Sequence, residues 1–305
     1  MGSPFNILIF TIDSLQAAQA AEATFLFIDT LNGIYSDYLP ESELNRLCQT
    51  AGTGNWVKVS EPLFSVLSQA KEASVQSSGS FDITLTPVIK LWRKARKNNV
   101  LPSKDSIEHA LTKVGYRNIL LDTINRSVKL VKEGMQLDLG GIAKGETAQR
   151  AYHRLSLLGF TFSLIDAGGD IVAGNTPPGV PGWKIAINLP SSDDIMQKQL
   201  LLNNMAVTTS GDLYQYMELN GIRYSHIINP ATGWATTSSR NVTVISPKGI
   251  DADWLTKAAT VLPVKKALRL IKKYPSTEVQ IAILHKGKPR YFRSAGFASY
   301  FQKAN

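Results

Sequence analysis

A single cysteine, Cys48, stands in the 305 residues of this chain. No internal disulfide can form, and no cysteine-based metal site can be assembled. No apolar run approaches the roughly 20 residues that a membrane-spanning helix needs. The apolar opening Phe5-Asn-Ile-Leu-Ile-Phe-Thr11 is much shorter and follows no basic segment. It reads as a first strand, and the chain as it stands shows no signal peptide. Zinc-finger spacing, an RNP-like aromatic motif and a helix-turn-helix signature are all missing. So is a P-loop, because Lys144 precedes Gly145 and no Lys-Ser/Thr pair follows. There is no G-x-G-x-x-G fingerprint either. Internal repeats, low-complexity tracts and long linkers are absent.

What the chain does have is an excess of one charge. Its formal net charge is +9. Such a surplus draws in polyanionic small molecules, and it also suits nucleic acid. Without a nucleic-acid motif, no nucleic-acid partner is expected. The densest basic run, Lys90 to Lys97, reads as a solvated helix face. Apolar residues make up 44% of the chain, enough for a sizeable core in one large or two modest domains.

The pattern along the chain mixes helices and strands without regular βαβ units. The strand over 5–11 leads to an Ala-rich helix from Ser14 to about Ser36, with Ala18, Ala21, Phe25, Phe27, Ile28 and Leu31 as candidate core positions. Ser42 is placed to cap a short helix. Trp56 to Ser60 reads as a strand, 62–76 and 105–113 as helices, and Pro87 sits near another helix start. Residues 116–132 read as a hairpin turning near Asn125. Strands are expected at 162–174, 183–188, 205–212, 223–233 and 242–245. Helices at 251–262 and 264–273 and strands near 279–284 and 289–292 close the chain. This predicts an α+β fold, one compact domain over 1–305 with a mixed or antiparallel sheet core and flanking helices.

The stretch with most chemistry is Leu137-Asp-Leu-Gly-Gly-Ile-Ala-Lys-Gly-Glu146. It reads as a strand end, a glycine turn and a helix running through Thr147 to Leu158. Gly140, Gly141 and Gly145 would let backbone N–H groups approach a ligand, and a helix N-terminus favours an anion. Lys144 adds a mobile cation and Asp138 a carboxylate. The combination suits a phosphate ester or pyrophosphate, although glycine turns of this kind are also common without ligands.

Motifs in order along the chain resemble those of the ApbE family, flavin transferases that use FAD to attach FMN to a protein threonine. They are Met1-Gly-Ser-Pro-Phe5, Ser36-Asp-Tyr-Leu-Pro-Glu-Ser-Glu-Leu44, Ser80-Phe-Asp-Ile-Thr84 with Pro87 and Leu91-Trp92, and Leu137 to Gly145. Asp166-Ala-Gly-Gly-Asp-Ile171, Thr209-Ser-Gly-Asp212 and Ser225-His-Ile-Ile-Asn-Pro-Ala-Thr-Gly233 follow. Each alone is weak; together they span nearly the whole chain.

The resemblance implies FAD as substrate, Mg²⁺ as cofactor and a target flavoprotein with an acceptor threonine as partner. By the same resemblance, Met1 and Tyr38 would pack the flavin, and Ser80, Phe81 and Asp82 would contact the nucleotide. Asp138 and Lys144 match FAD-contacting positions, with Lys144 near the pyrophosphate. His226 would contact flavin or transfer a proton. Gly141, through its carbonyl, and Asp253 would hold the metal, with Asp253 and His226 as the catalytic pair. Ordinary alternatives stand beside these roles: a turn tyrosine at Tyr38, a helix cap at Asp82, and helix N-terminal charge at Asp251 and Asp253. Asp166, Asp170 and Asp212 would either shape the pocket or satisfy the backbone of their glycine turns.

One position departs from the family pattern. Lys257 stands four residues after Asp253, where Thr or Ala usually completes the metal site. On a helix it shares a face with Asp253 and could pair with it, with Thr256 left as a substitute ligand. Two functions follow: an active FMN transferase, or an FAD-binding or FAD-hydrolysing relative that no longer transfers FMN. The family's habits further imply a periplasmic protein, or one facing the periplasm through a lipid anchor that this chain does not carry, with a cytoplasmic form as the alternative.

Overall fold

The structure is a computed structural model, and it describes residues 3–190, 195–211, 216–285 and 288–302. Strand β1 (Asn6–Ile9) precedes helix α1 (Ser14–Tyr35). Helix α2 (Glu43–Gln49) starts at Ser42, whose hydroxyl accepts from the Asn45 N–H at 3.0 Å. Ser60 does the same for α3 (Glu61–Gln76), after the short strand β2 (Val57–Lys58). Helix α4 (Thr86–Asn98) carries Pro87 in its first turn, where the missing N–H costs nothing. Helix α5 (Lys104–Leu111) is capped by Ser103. Strands β3 (Ile119–Asp122) and β4 (Ser127–Leu130) form the expected hairpin, with the Asp122 carboxylate holding the turn through the N–H groups of Ile124 and Asn125.

Helix α6 (Ala143–Leu157) leads into β5 (Ser163–Asp166) and β6 (Asp170–Ala173). Then come β7 (Trp183–Pro190), β8 (Ile195–Leu202), β9 (Met205–Gly211), β10 (Tyr216–Leu219), β11 (Ile222–Ser225) and β12 (Arg240–Ser246). Helices α7 (Gly249–Val261) and α8 (Val264–Ile271) and strands β13 (Glu278–His285) and β14 (Lys288–Arg293) complete the order. Among the described residues, no helix is long and apolar enough to cross a membrane.

The chain divides into two compact units. The first comprises Met1–Asp29, Ile142–Leu213 and Ser238–Asn305; the second comprises Thr30–Gly141 and Tyr214–Thr237. The first unit is built on a seven-stranded sheet in the order β1-β5-β6-β9-β12-β13-β14, antiparallel at every pairing. The α+β expectation holds, and its mixed-or-antiparallel sheet is antiparallel. Strand β12 is buried along almost all of its length, as a strand covered on both faces must be. Val207 and Ile245 point into a core shared with Ile185 and Ile187 of β7, Leu200 and Leu202 of β8, and Phe297. Alternation sends Ala206, Thr208 and Val244 to the opposite face, and α6 and α7 pack against this sheet. Each large apolar side chain buried here contributes on the order of 1.5–3 kcal/mol.

The second unit has a three-stranded sheet, β2-β4-β3, a β10–β11 hairpin and helices α2 to α5. Its core gathers Val88, Trp92 and Ala95 of α4, Ala110 of α5, Met217 of β10, and Ile228 and Ala235. Trp92 Nε1 donates to the Gly233 carbonyl at 2.8 Å, so the α4 face is fixed by a hydrogen bond as well as by packing.

Two expectations about elements fail. Ala18 and Phe25 are exposed; α1 buries a narrow stripe of Ala20, Thr24, Ile28, Leu31 and Tyr35. Leu15, Phe25 and Leu26 sit exposed among Gln16, Gln19, Glu22 and Asp29, so apolar residues alone overstate the packed face. Strands β8 and β10 were not foreseen. Ile-Met-Gln-Lys-Gln-Leu-Leu-Leu lacks alternation, and β8 exists through its pairing with β7.

Candidate functional site

The glycine stretch folds differently from its sequence reading. Residues 136–139 form no strand, and α6 begins at Ala143, so Lys144 and Gly145 lie inside its first turn. Gly145 is a packing glycine. A Cβ there would stand 2.1 Å from the Gly249 carbonyl oxygen, so the absence of a side chain lets α6 and α7 touch backbone to backbone. That contact brings the Gly145 N–H to Asp253 Oδ2 at 3.1 Å.

Asp253 lies on α7 with no exposure to solvent. Its Oδ1 accepts from Lys257 Nζ at 2.6 Å, one helical turn on. Lys144 pairs with the Asp170 carboxylate, which is also buried, at the start of β6. Burial, and then the charge of Asp170, push the Asp253 carboxyl above its ordinary value, while Lys257 and Lys144 pull it back. Burial lowers the Lys144 pKa, and Asp170, Asp253 and Asp166 more than offset this, so the ammonium is held firmly protonated. The first unit therefore gathers Lys144, Asp170, Asp253 and Lys257. Asp166 caps its own glycine turn, accepting from the Gly169 N–H at 2.7 Å. Asp251 accepts from Trp254 Nε1 at 3.2 Å.

The second unit holds another cluster. Arg93 Nη1 donates to Asp37 Oδ2 at 2.9 Å, and Nη2 donates to Asp138 Oδ2 at 3.1 Å. Its guanidinium lies 4.6 Å from the centre of the Tyr38 ring, within cation–π range. Asp138 Oδ1 accepts from the Gly140 N–H at 2.6 Å. Burial, with the Asp37 charge behind it, raises the Asp138 pKa; the Gly140 N–H and Arg93 act against that rise. Tyr38 and Asp138, both singled out from the sequence, thus share Arg93, which was not. The run Lys90 to Lys97 is therefore not wholly a solvated face: Arg93 is half-buried between two carboxylates, and burial lowers the Arg96 pKa. Nothing in the linear spacing separates Arg93 from its basic neighbours.

Asp82 uses both carboxylate oxygens within the protein. Oδ1 accepts from the Thr84 N–H at 2.8 Å and its hydroxyl at 2.7 Å, and Oδ2 accepts from the Tyr116 N–H at 3.0 Å. Burial raises its pKa. Phe81 is buried, its N–H bonded to the Ser77 hydroxyl, and Ser80 is half-buried. His226 is half-buried just after β11. Met1 and Asp212 lie outside the described residues.

A magnesium ion demands several hard oxygen ligands in near-octahedral array. The donors around Asp253 do not fit one. The Lys257 ammonium stands on Oδ1, where it would repel a like-charged ion, the Gly145 N–H takes Oδ2, and the buried Thr256 hydroxyl, which donates to the Asp253 carbonyl at 2.7 Å, adds only a single neutral oxygen. Among the described residues, no group of three His, Cys, Asp or Glu side chains could hold a metal ion.

The ApbE family model matches residues 1–281. An FAD:protein FMN transferase of Treponema pallidum (strain Nichols) is 30% identical over 276 residues, covering 85% of this chain and 75% of that protein. The ApbE protein from Thermotoga maritima superposes with a TM-score of 0.86 at 28% identity, over 99% of this chain and 97% of that one. The flavin transferase ApbE from Vibrio cholerae has the same fold, with a TM-score of 0.88 at 23% identity over 98% and 96% of the two chains. With motifs, fold and family model agreeing along nearly its whole length, this chain belongs to the ApbE family.

Proposed function

We propose that this protein is an FAD:protein FMN transferase. The acceptor is a threonine of a redox flavoprotein. Its hydroxyl oxygen attacks the FMN phosphorus of FAD, a P–O bond forms to the protein, the pyrophosphate P–O bond breaks and AMP leaves. The hydroxyl proton passes to a base, for which His226 is the candidate. Lys144 faces the pyrophosphate, a role that its burial against Asp170 supports by fixing a positive charge in place. Met1, Tyr38, Ser80, Phe81 and Asp138 are the candidate flavin and nucleotide contacts. Asp82 joins them as a candidate nucleotide contact, since its Oδ2 accepts only from the Tyr116 N–H and has room for a second donor. Residues 1–305 work as one transferase domain, and the setting is the periplasm, with a lipid anchor as the means of membrane attachment.

The observation that carries the activity is the family match through residues 1–281, which runs across both units. Mg²⁺ has no place in this reading, because the Lys257 ammonium sits on Asp253, the one carboxylate among the implied ligands Gly141, Asp253 and Thr256. The test is intact-mass analysis of a flavinylation target incubated with this protein and FAD. A gain of one FMN, with AMP released and the gain lost when the target threonine becomes valine, is expected. FAD cleaved to FMN and AMP over an unmodified target would replace the transferase with a hydrolase.

A further inference from the structure

Two buried carboxylates of the first unit are each met by an ammonium from this chain, Lys257 on Asp253 and Lys144 on Asp170. The carboxylates are 0% and 2% exposed, whereas the lysine side chains are 19% and 25% exposed, so the cations are the part of the cluster that a ligand can reach. An ammonium has three donors, and the hydrogen bonds found for Lys144 and for Lys257 use one each among the described residues. Compact, strongly charged donors of this kind suit phosphate oxygens.

A divalent ion could reach Asp253 only by displacing Lys257 from Oδ1. Lys257 is tethered one turn away on the same helix, so the displaced ammonium would stay beside a like-charged ion. We infer that Lys257 holds the place of a divalent ion on Asp253, and that this chain takes the pyrophosphate of its flavin dinucleotide with the ammonium groups of Lys144 and Lys257 instead of a metal. The identity of the ligand rests on the transferase reading; the occupancy of Asp253 by Lys257 does not.

Mn²⁺ titration of the purified protein, followed by electron paramagnetic resonance with neither flavin nor acceptor present, tests the occupancy. The wild-type chain should leave Mn²⁺ free to millimolar concentration. Lys257→Thr should take up one ion per chain, and adding Asp253→Asn should abolish that uptake. FAD titration then tests the ligand: the wild-type affinity should change less than twofold when EDTA is replaced by Mg²⁺, and Lys257→Gln should weaken binding in EDTA at least tenfold. One Mn²⁺ bound by the wild type and lost in Asp253→Asn, a Lys257→Thr chain that still ignores the ion, or FAD binding that requires Mg²⁺ would each overturn the inference. If the variants do not fold, the two wild-type titrations decide it. FAD that binds under neither condition would count against the transferase reading, and the Mn²⁺ result would still settle the occupancy of Asp253.

Discussion

Lys257 and Asp253 stand one turn apart on α7 with Nζ 2.6 Å from Oδ1, and the carboxylate is shut away from solvent. Removing one member of a buried pair strands the other. Lys257→Met should therefore cost about 3–5 kcal/mol of stability. The double variant Asp253→Asn with Lys257→Met leaves no stranded charge and should recover most of that loss. Urea unfolding of the wild type, Lys257→Met, Asp253→Asn and the double variant gives the coupling energy; single-variant losses that simply add in the double variant would show the pair to be energetically inert.

Gly145→Ala should be among the most damaging small substitutions in the first unit. The new Cβ would meet the Gly249 carbonyl oxygen at 2.1 Å and the Asp253 Cβ at 2.9 Å, and backbone cannot swing aside as a side chain can. Overpacking typically costs about 1–3 kcal/mol, and this contact belongs at or beyond the upper end. A thermal midpoint within a degree or two of wild type would show that the two helices can separate cheaply.

Asp138 makes stability depend on pH. Its pKa is raised in the folded chain by burial and by the Asp37 charge. Above the ordinary carboxylate pKa of 3.8, the unfolded chain releases a proton that the native state still holds. Its contribution is therefore fully present below that value and is lost as pH rises through the raised folded pKa. Arg93→Met removes a charge that favours the ionised form, so the loss should extend to higher pH. Asp138→Asn should remove this part of the slope. Urea midpoints from pH 4 to 7 for the three proteins check it, and parallel profiles would refute it.

Trp92→Phe keeps most of the ring in the second unit's core but removes the donor to the Gly233 carbonyl. An acceptor left unpaired in a buried place costs about 1–3 kcal/mol. Chemical unfolding followed by far-ultraviolet circular dichroism measures it. No loss would mean that another donor reaches the carbonyl.

The sequence by itself determined what is local. Ser42, read from the sequence as a cap, caps its helix, and Ser60 and Ser103 do the same in the structure, because a short hydroxyl side chain reaches the orphan N–H groups of the first turn wherever that turn lies. The Lys257–Asp253 contact was legible for the same reason, since residues four apart on a helix share a face. Only the tertiary structure decided the rest. Arg93 finds Asp37 and Asp138 across 56 and 45 residues of chain, Gly145 proves to be a helix-packing glycine rather than part of a turn, and β8 forms because β7 lies beside it. A periodic pattern records which side of an element is apolar. It does not record which distant element covers that side, and in this chain that pairing set the partners of Arg93 and the packing of Gly145.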